Sequence, residues 1–340
     1  MRFTGLLLTG TLAVGAFASD ALIGQAKEAG LMPIPSAKNE LMKLVDNPKN
    51  PITDAKVELG KKLYFDPRLS KSALISCNTC HNLATGGVDG VSAAIGHKWT
   101  ANPHHLNSPT VYNAVFHSSQ FWDGRSPHLE DQAQGPMQAG PEMAAPKDLV
   151  TSRVNSIPAY VAEFKKAYGN NVDITFTKIA DTIGVFERTL VTPSRFDKYL
   201  EGDAAALTSD EKRGLKVFID KGCTSCHNGV ALGGTMQPFP VVNPYKHANL
   251  GDFKGDANGM VKVPSLRNIT ETAPYFHNGA VWSLSEAVQI MGDTQLGVKL
   301  SKDETASIVT FLQSLEGTKP EIIYPVLPAS TEKTPRPSAN

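Results

Sequence analysis

Apolar residues recur at helical spacing in three stretches of the chain. Phe176, Ile179, Ile183, Phe186 and Leu190 are separated by alternating gaps of three and four, which puts all five on one helix face. Leu215, Phe218 and Ile219 form a second stripe behind the capping box Thr208-x-x-Glu211. Ile308, Phe311, Leu312 and Leu315 form a third, opened by Ser301-x-x-Glu304 and closed by Gly317. All three stripes are expected to face a core. Strict alternation of apolar and polar residues is scarce, so the chain is predicted to be mainly α, with Gly/Pro-rich loops such as TGGVDG and LGGTMQPFP between helices. TPSRFDKYLEGD is expected to link two domains. Residues 321–340, with their prolines and polar side chains, are expected to form a flexible tail.

The pattern is also duplicated. Gly60 to Asp66 (GKKLYFD) is echoed by Gly214 to Asp220 (GLKVFID), and Ser108 to Asp131 (SPTVYNAVFHSSQFWDGRSPHLED) by Pro264 to Ala287 (PSLRNITETAPYFHNGAVWSLSEA). A chain of 340 residues has room for two domains, and landmarks repeated in order mark the two as related. The N-terminus differs in kind. Arg2, an apolar run from Leu6 to Phe17 and the small-x-small pattern Ala16-Phe17-Ala18 read as an export signal over residues 1–18. The run is shorter than the ~20 apolar residues that a bilayer requires, and no comparable segment follows, so no membrane span is expected. Thirty-three basic residues balance thirty-three acidic ones without a basic run, so no nucleic-acid partner is expected.

An exported chain with four cysteines invites disulfides, yet all four lie in two C-x-x-C-H units, in SCNTCHN and GCTSCHN. C-x-x-C-H is a c-type haem attachment site: two thiols one helical turn apart form thioethers with the haem vinyl groups, and the adjacent imidazole reaches the iron. Cys77, Cys80 and His81 make one such site; Cys223, Cys226 and His227 make the other. A zinc ribbon would place its second C-x-x-C roughly 15–20 residues after the first, whereas Cys223 follows Cys77 by 146 residues. A thioredoxin-like motif would need a βαβ setting, which is absent.

What each centre does turns on the ligand opposite its histidine, because two strong axial ligands restrict an iron to electron transfer. For the second haem the sequence offers Met291, with Met236 and Met260 as rivals. For the first it offers His97, His104, His105, His117 and Met137, and periodicity does not choose among them.

GKKLYFDPRLSKSALISCNTCHN, then GGVDG, IGHKW, NSPTVYNAVF, QFWDGR, GPMQAGPEM, TLVTP, FDKYL, the second C-x-x-C-H, PSLRN, TAPYFHNG and IMGDTQLG resemble, in order, the bacterial di-haem cytochrome c peroxidase family. The resemblance implies two cytochrome c-like domains, each with one covalently attached c-type haem. The expected organisation is a signal over 1–18, a peroxidatic, low-potential domain over 19–190 and an electron-transfer, high-potential domain over 191–320. It further implies that His97 caps the first iron in the resting state and that Met291 is the fixed distal ligand of the second. Glu142 is the implied acid/base residue, Gln132 its polar neighbour and Trp122 the indole between the haems. Asn107, Thr272 and Pro274 are implied calcium ligands, the last two through backbone carbonyls. KWTANPHHLNSPT, between His97 and Asn107, is a little longer than the family pattern.

The expected function is reduction of hydrogen peroxide to water in the periplasm, by a homodimer drawing two electrons from a small cytochrome c or a copper protein such as a cupredoxin. Electrons would enter at the His227/Met291 centre and pass by Trp122 towards the His81 centre, whose reduction releases His97. A carboxylate such as Glu142 could take the proton from one peroxide oxygen and return it to the other, with Gln132 orienting the peroxide. The alternatives are a di-haem electron carrier, and a related di-haem oxidase that modifies tryptophans on a partner protein. The latter would have a tyrosine where Met291 stands.

Overall fold

The computed structural model describes residues 20–338; the expected export signal, 1–18, lies outside the described residues. Helices dominate. The first half carries α1 (Ala21–Glu28), α2 (Lys38–Val45), α3 (Asp54–Phe65), α4 (Cys77–Cys80), α5 (Leu129–Gln132), α6 (Gln134–Gln138), α7 (Lys147–Asn155), α8 (Pro158–Tyr168) and α9 (Phe176–Glu187). The second carries α10 (Arg195–Leu200), α11 (Ser209–Asp220), α12 (Leu284–Leu296) and α13 (Lys302–Gln313). Among the described residues the only sheet is an antiparallel pair, β1 (Met236–Pro238) and β2 (Met260–Lys262). No described helix is long and apolar enough to cross a membrane. Both capping boxes form. Thr208 and Glu211 exchange bonds of 2.8 and 3.2 Å at the start of α11, and Ser301 and Glu304 bonds of 2.8 and 3.1 Å at the start of α13.

The duplicated heptapeptides pair helices at their glycines. In the first half α3 packs on α9, and in the second α11 packs on α13. A Cβ on Gly60 would lie 2.2 Å from the Thr182 carbonyl oxygen, and one on Gly214 would lie 1.9 Å from that of Ser307. No side chain fits at either crossing, so glycine sets how closely the helix backbones approach. The longer repeat shares a backbone as well. Asn113 and Asn268, Phe121 and Phe276, and Gly124 and Gly279 are left-handed pairs, each 155 residues apart. Asn113 and Asn268 both donate through Nδ2 to the Thr192 hydroxyl, at 2.7 and 2.9 Å, so the copies meet at one threonine between the halves.

Two apolar cores result. One gathers Leu59, Leu63, Tyr64, Phe164, Ile183 and Phe186; the other gathers Phe196, Leu215, Phe218, Ile308 and Phe311. Both ends of the described chain cross over between the cores. Ile23, Ala26 and Leu31, at the start, pack in the second core, and the Gly229 N–H donates to the Gly30 carbonyl at 2.8 Å.

The segment after Lys319 returns to the first core and is not a loose tail. Ile322 packs on that core, and the Tyr324 ring lies 5.0 Å from Phe65. The physical reason is Arg153, whose buried guanidinium must have acceptors. It takes the carbonyls of Pro335 and Arg336, at 3.1 and 3.0 Å, together with those of Arg68 and Lys71 at 2.7 and 3.2 Å.

TPSRFDKYLEGD runs from α9 towards α11 and is itself packed: Phe196, Tyr199 and Leu200 lie in the second core, and Asp197 forms a buried pair with Arg267 at 2.7 Å. One other expectation is corrected. Gly317 does not close α13, which is capped at Ser314; the missing Cβ instead lets Gly317 lie against the Thr192 carbonyl.

Candidate active site

Each C-x-x-C-H folds as a single turn. The N–H of His81 donates to the Cys77 carbonyl at 2.9 Å, and that of His227 to the Cys223 carbonyl at 3.0 Å. Both imidazoles are then tethered through Nδ1 to a backbone carbonyl: His81 to Pro109 at 2.9 Å and His227 to Leu232 at 3.1 Å. A ring held this way as Nδ1–H presents Nε2 to an iron in a fixed orientation. Burial favours the neutral imidazole, pushing the pKa of His81 down and that of His227 down to about 4. The preceding helix supports each turn. The Tyr64 hydroxyl donates to the His81 carbonyl at 2.6 Å, and Phe218, at the matching position of the repeat, packs its ring 6.4 Å from His227. All four cysteines are free thiols, so the turns fit covalent haem attachment.

His97 lies on a loop beside the first turn, where the Cys80 thiol points at the Ile95 carbonyl. The His97 N–H donates to the Glu142 carbonyl at 2.7 Å. Gly96 makes this approach possible, since a Cβ there would lie 2.0 Å from the Pro141 carbonyl oxygen. His97 is buried, and its Nδ1 has no hydrogen-bond partner among the described residues. Burial pushes the carboxyl of Glu142 above its ordinary pKa, partly offset by the Arg125 charge. Arg125 is stacked over the Phe121 ring at 3.5 Å. Gln132 is half-buried at the end of α5, its N–H given to the His128 carbonyl at 3.0 Å.

The second turn opens into a large cavity shared by both halves. Cys223, Cys226, His227 and Met291, the last from α12, line it with Trp122, His117 and Lys262. Met236 and Met260, on β1 and β2, are not among its lining residues. Met137 is packed in the first core. His104 is exposed and paired with Asp252 at 3.0 Å, and His117 lines the cavity of the second turn. Of the candidates for the first iron, His97 is the one whose backbone is bonded to Glu142.

Trp122 stands at the junction, with its indole N–H given to the Asn107 carbonyl at 2.9 Å. Its counterpart in the second repeat is His277, edge-on at 6.4 Å. Asn107 joins the halves: its N–H donates to the His277 carbonyl and its side-chain amide to the Pro274 carbonyl, each at 2.8 Å. Thr272 lines the same cavity. An asparagine and backbone carbonyls are oxygen donors of the kind that calcium takes, once the Asn107 amide turns its oxygen inward. Sequence reasoning passed over Lys262, His117 and His277 as residues of this cavity. Lys262 lies between Val261 and Val263, an alternation that reads as a solvent-facing lysine, yet all three line the cavity.

Two family profiles match the chain, one on each half. The sequence profile described as di-haem cytochrome c peroxidase matches residues 54–205, and that of cytochrome c matches residues 211–316. The cytochrome c551 peroxidase of Pseudomonas aeruginosa is 47% identical over 332 residues, covering 94% of this chain and 93% of that protein. The cytochrome c551 peroxidase of Nitrosomonas europaea is also 47% identical, covering 82% of this chain and 85% of its own. The crystal structure of a MauG-like protein associated with microbial copper homeostasis superposes with a TM-score of 0.70 at 27% identity, covering 80% of this chain and 92% of that one.

Proposed function

This chain belongs to the di-haem cytochrome c peroxidase family, and on that premise we propose how its residues divide the work of reducing hydrogen peroxide. It has two cytochrome c domains with a c-type haem site in each, Cys77, Cys80 and His81 in one and Cys223, Cys226 and His227 in the other. When bound, the haems would supply one-electron redox chemistry. Met291 would help Cys223, Cys226 and His227 to hold the second haem, and Trp122 would stand between the two haem sites.

His97 is the releasable cap of the first centre. The observation that carries this reading is the contrast among three imidazoles: His81 and His227 are tethered through Nδ1, whereas His97 is held by its backbone alone, against the carbonyl of Glu142. A ring without a tether leaves its position at lower cost than one that must break a buried hydrogen bond, worth about 0.5–1.5 kcal/mol. Glu142 takes the proton from one peroxide oxygen and delivers it to the leaving one, and Gln132 orients the peroxide. Asn107, Thr272 and Pro274 hold calcium between the halves. The electron donor is a small cytochrome c or a cupredoxin, the enzyme is an exported periplasmic homodimer, and residues 1–18 are its export signal.

A redox titration followed by visible spectroscopy, and then peroxide turnover with a reduced donor, tests this reading. Two separate potentials are expected, with a low-spin to high-spin change at the first haem on reductive activation. His97→Gly is expected to be high-spin from the start and active without pre-reduction. A variant that stays low-spin and still needs activation would remove His97 from the role. A wild-type protein without turnover would instead be an electron carrier.

A further inference from the structure

The cavity of the second turn has a charge imbalance. Among the described residues no carboxylate lines it, and Lys262 is the only lysine or arginine that does. Lys262 is 3% exposed. Among the described residues its ammonium forms no salt bridge; it lies 3.4 Å from His117 Nδ1, and the Nε2 of that ring is buried without a partner there. The carboxylate whose charge reaches Lys262 is Asp123, which lies 2.7 Å from Arg125. The backbone holds Lys262 in place: its N–H donates to the Trp122 carbonyl at 2.8 Å, and β1/β2 pairing sets it opposite Met236. Burial pushes its pKa down to about 8. An ammonium in such a wall without a carboxylate beside it costs several kcal/mol, and an anion arriving with the ligand would offset that cost.

The residues around it identify the anion. Cys223, Cys226, His227 and Met291 line the same cavity, and a haem held by them is apolar except for its iron and its two propionate carboxylates. We propose that Lys262 forms an ion pair with a propionate of the haem held by Cys223, Cys226 and His227, and so positions that edge of the haem beside Trp122 and raises the haem's reduction potential. The direction follows from charge. A propionate favours the more positive, oxidised iron, and an ammonium beside it cancels that preference. The inference rests on the two-haem reading above but not on the roles of His97 or Glu142.

Lys262→Met, Lys262→Gln and Lys262→Arg, made in the full-length, haem-loaded protein, test it by spectroelectrochemical titration with haem counted per chain. The methionine and glutamine variants are expected to be about tenfold less reduced at the second haem at a fixed potential, equivalent to about 59 mV for one electron. The arginine variant should stay near wild type. An unchanged second potential in the methionine and glutamine variants, an equal fall in the arginine variant, or a shift confined to the first haem overturns the pairing. Should the neutral variants fail to load haem, rescue by arginine supports it and failure of all three overturns it. Wild-type turnover on the same samples keeps the two readings apart, since an inactive wild type sinks the peroxidase assignment and leaves the Lys262 result standing.

Discussion

Three histidines that look alike in the sequence differ in what grips their rings. His81 and His227 give Nδ1 to carbonyls of Pro109 and Leu232, residues that the chain brings in from outside each motif. His97 is fixed through its backbone, its N–H on the carbonyl of Glu142 and its carbonyl on the Thr100 hydroxyl. Displacing His97 would therefore disturb the backbone of Glu142. As the proposed acceptor of the peroxide proton Glu142 must be ionised, and burial raises its pKa. The rate should therefore fall as pH drops through a value above the ordinary carboxylate range, and recover above it. Glu142→Gln is expected to lower kcat/KM by about 10²–10⁴-fold and to abolish this acidic limb, as read from a pH profile with a reduced donor. An unchanged limb in the glutamine variant would assign it to another group.

At the scale of elements, the glycine of each heptapeptide decides how closely two helices lie. Gly60 meets the Thr182 carbonyl across the α3/α9 crossing, and Gly214 meets that of Ser307 across α11/α13. Gly214→Ala must push α11 away from α13 and is expected to cost about 1–3 kcal/mol, seen as a lower urea midpoint by circular dichroism. Gly24→Ala in α1 is the control. A Cβ there meets nothing within 4 Å, so the substitution should be neutral or stabilising by up to about 1 kcal/mol. Equal losses at both positions would remove close approach as the cause.

At the scale of the molecule, the two halves are bound by exchanged ends. α1 belongs to the second core, and the stretch after Lys319 lies along the first, where Arg153 takes the carbonyls of Pro335 and Arg336. Lys71, whose N–H holds the Met143 carbonyl next to Glu142, also gives its own carbonyl to this guanidinium. Truncation from Pro320 onward should leave the Arg153 guanidinium short of two acceptors, each charge-assisted bond being worth about 1.5–3 kcal/mol. The thermal midpoint is expected to fall by several degrees, with the first haem's spectrum altered before the second's. A truncated protein that melts like the intact one would show that the contacts are incidental.

Much of this was legible in the chain. The helical stripes, both capping boxes, the duplication and the two haem turns depend on local spacing, and i to i+4 geometry is set by neighbours in sequence. The tail was misread because proline and polar composition reports an inability to build a core of its own, not whether another core supplies partners. Lys262 carries no signal of its own in the sequence, a single lysine between Val261 and Val263, and only the meeting of both halves turns it into the cavity. The sequence by itself determined the attachment device, twice over. The tertiary structure decided what separates the two copies: an untethered His97 set against the Glu142 carbonyl beside the first, and a buried Lys262 held on the Trp122 carbonyl in the cavity of the second, both placed by residues far away along the chain.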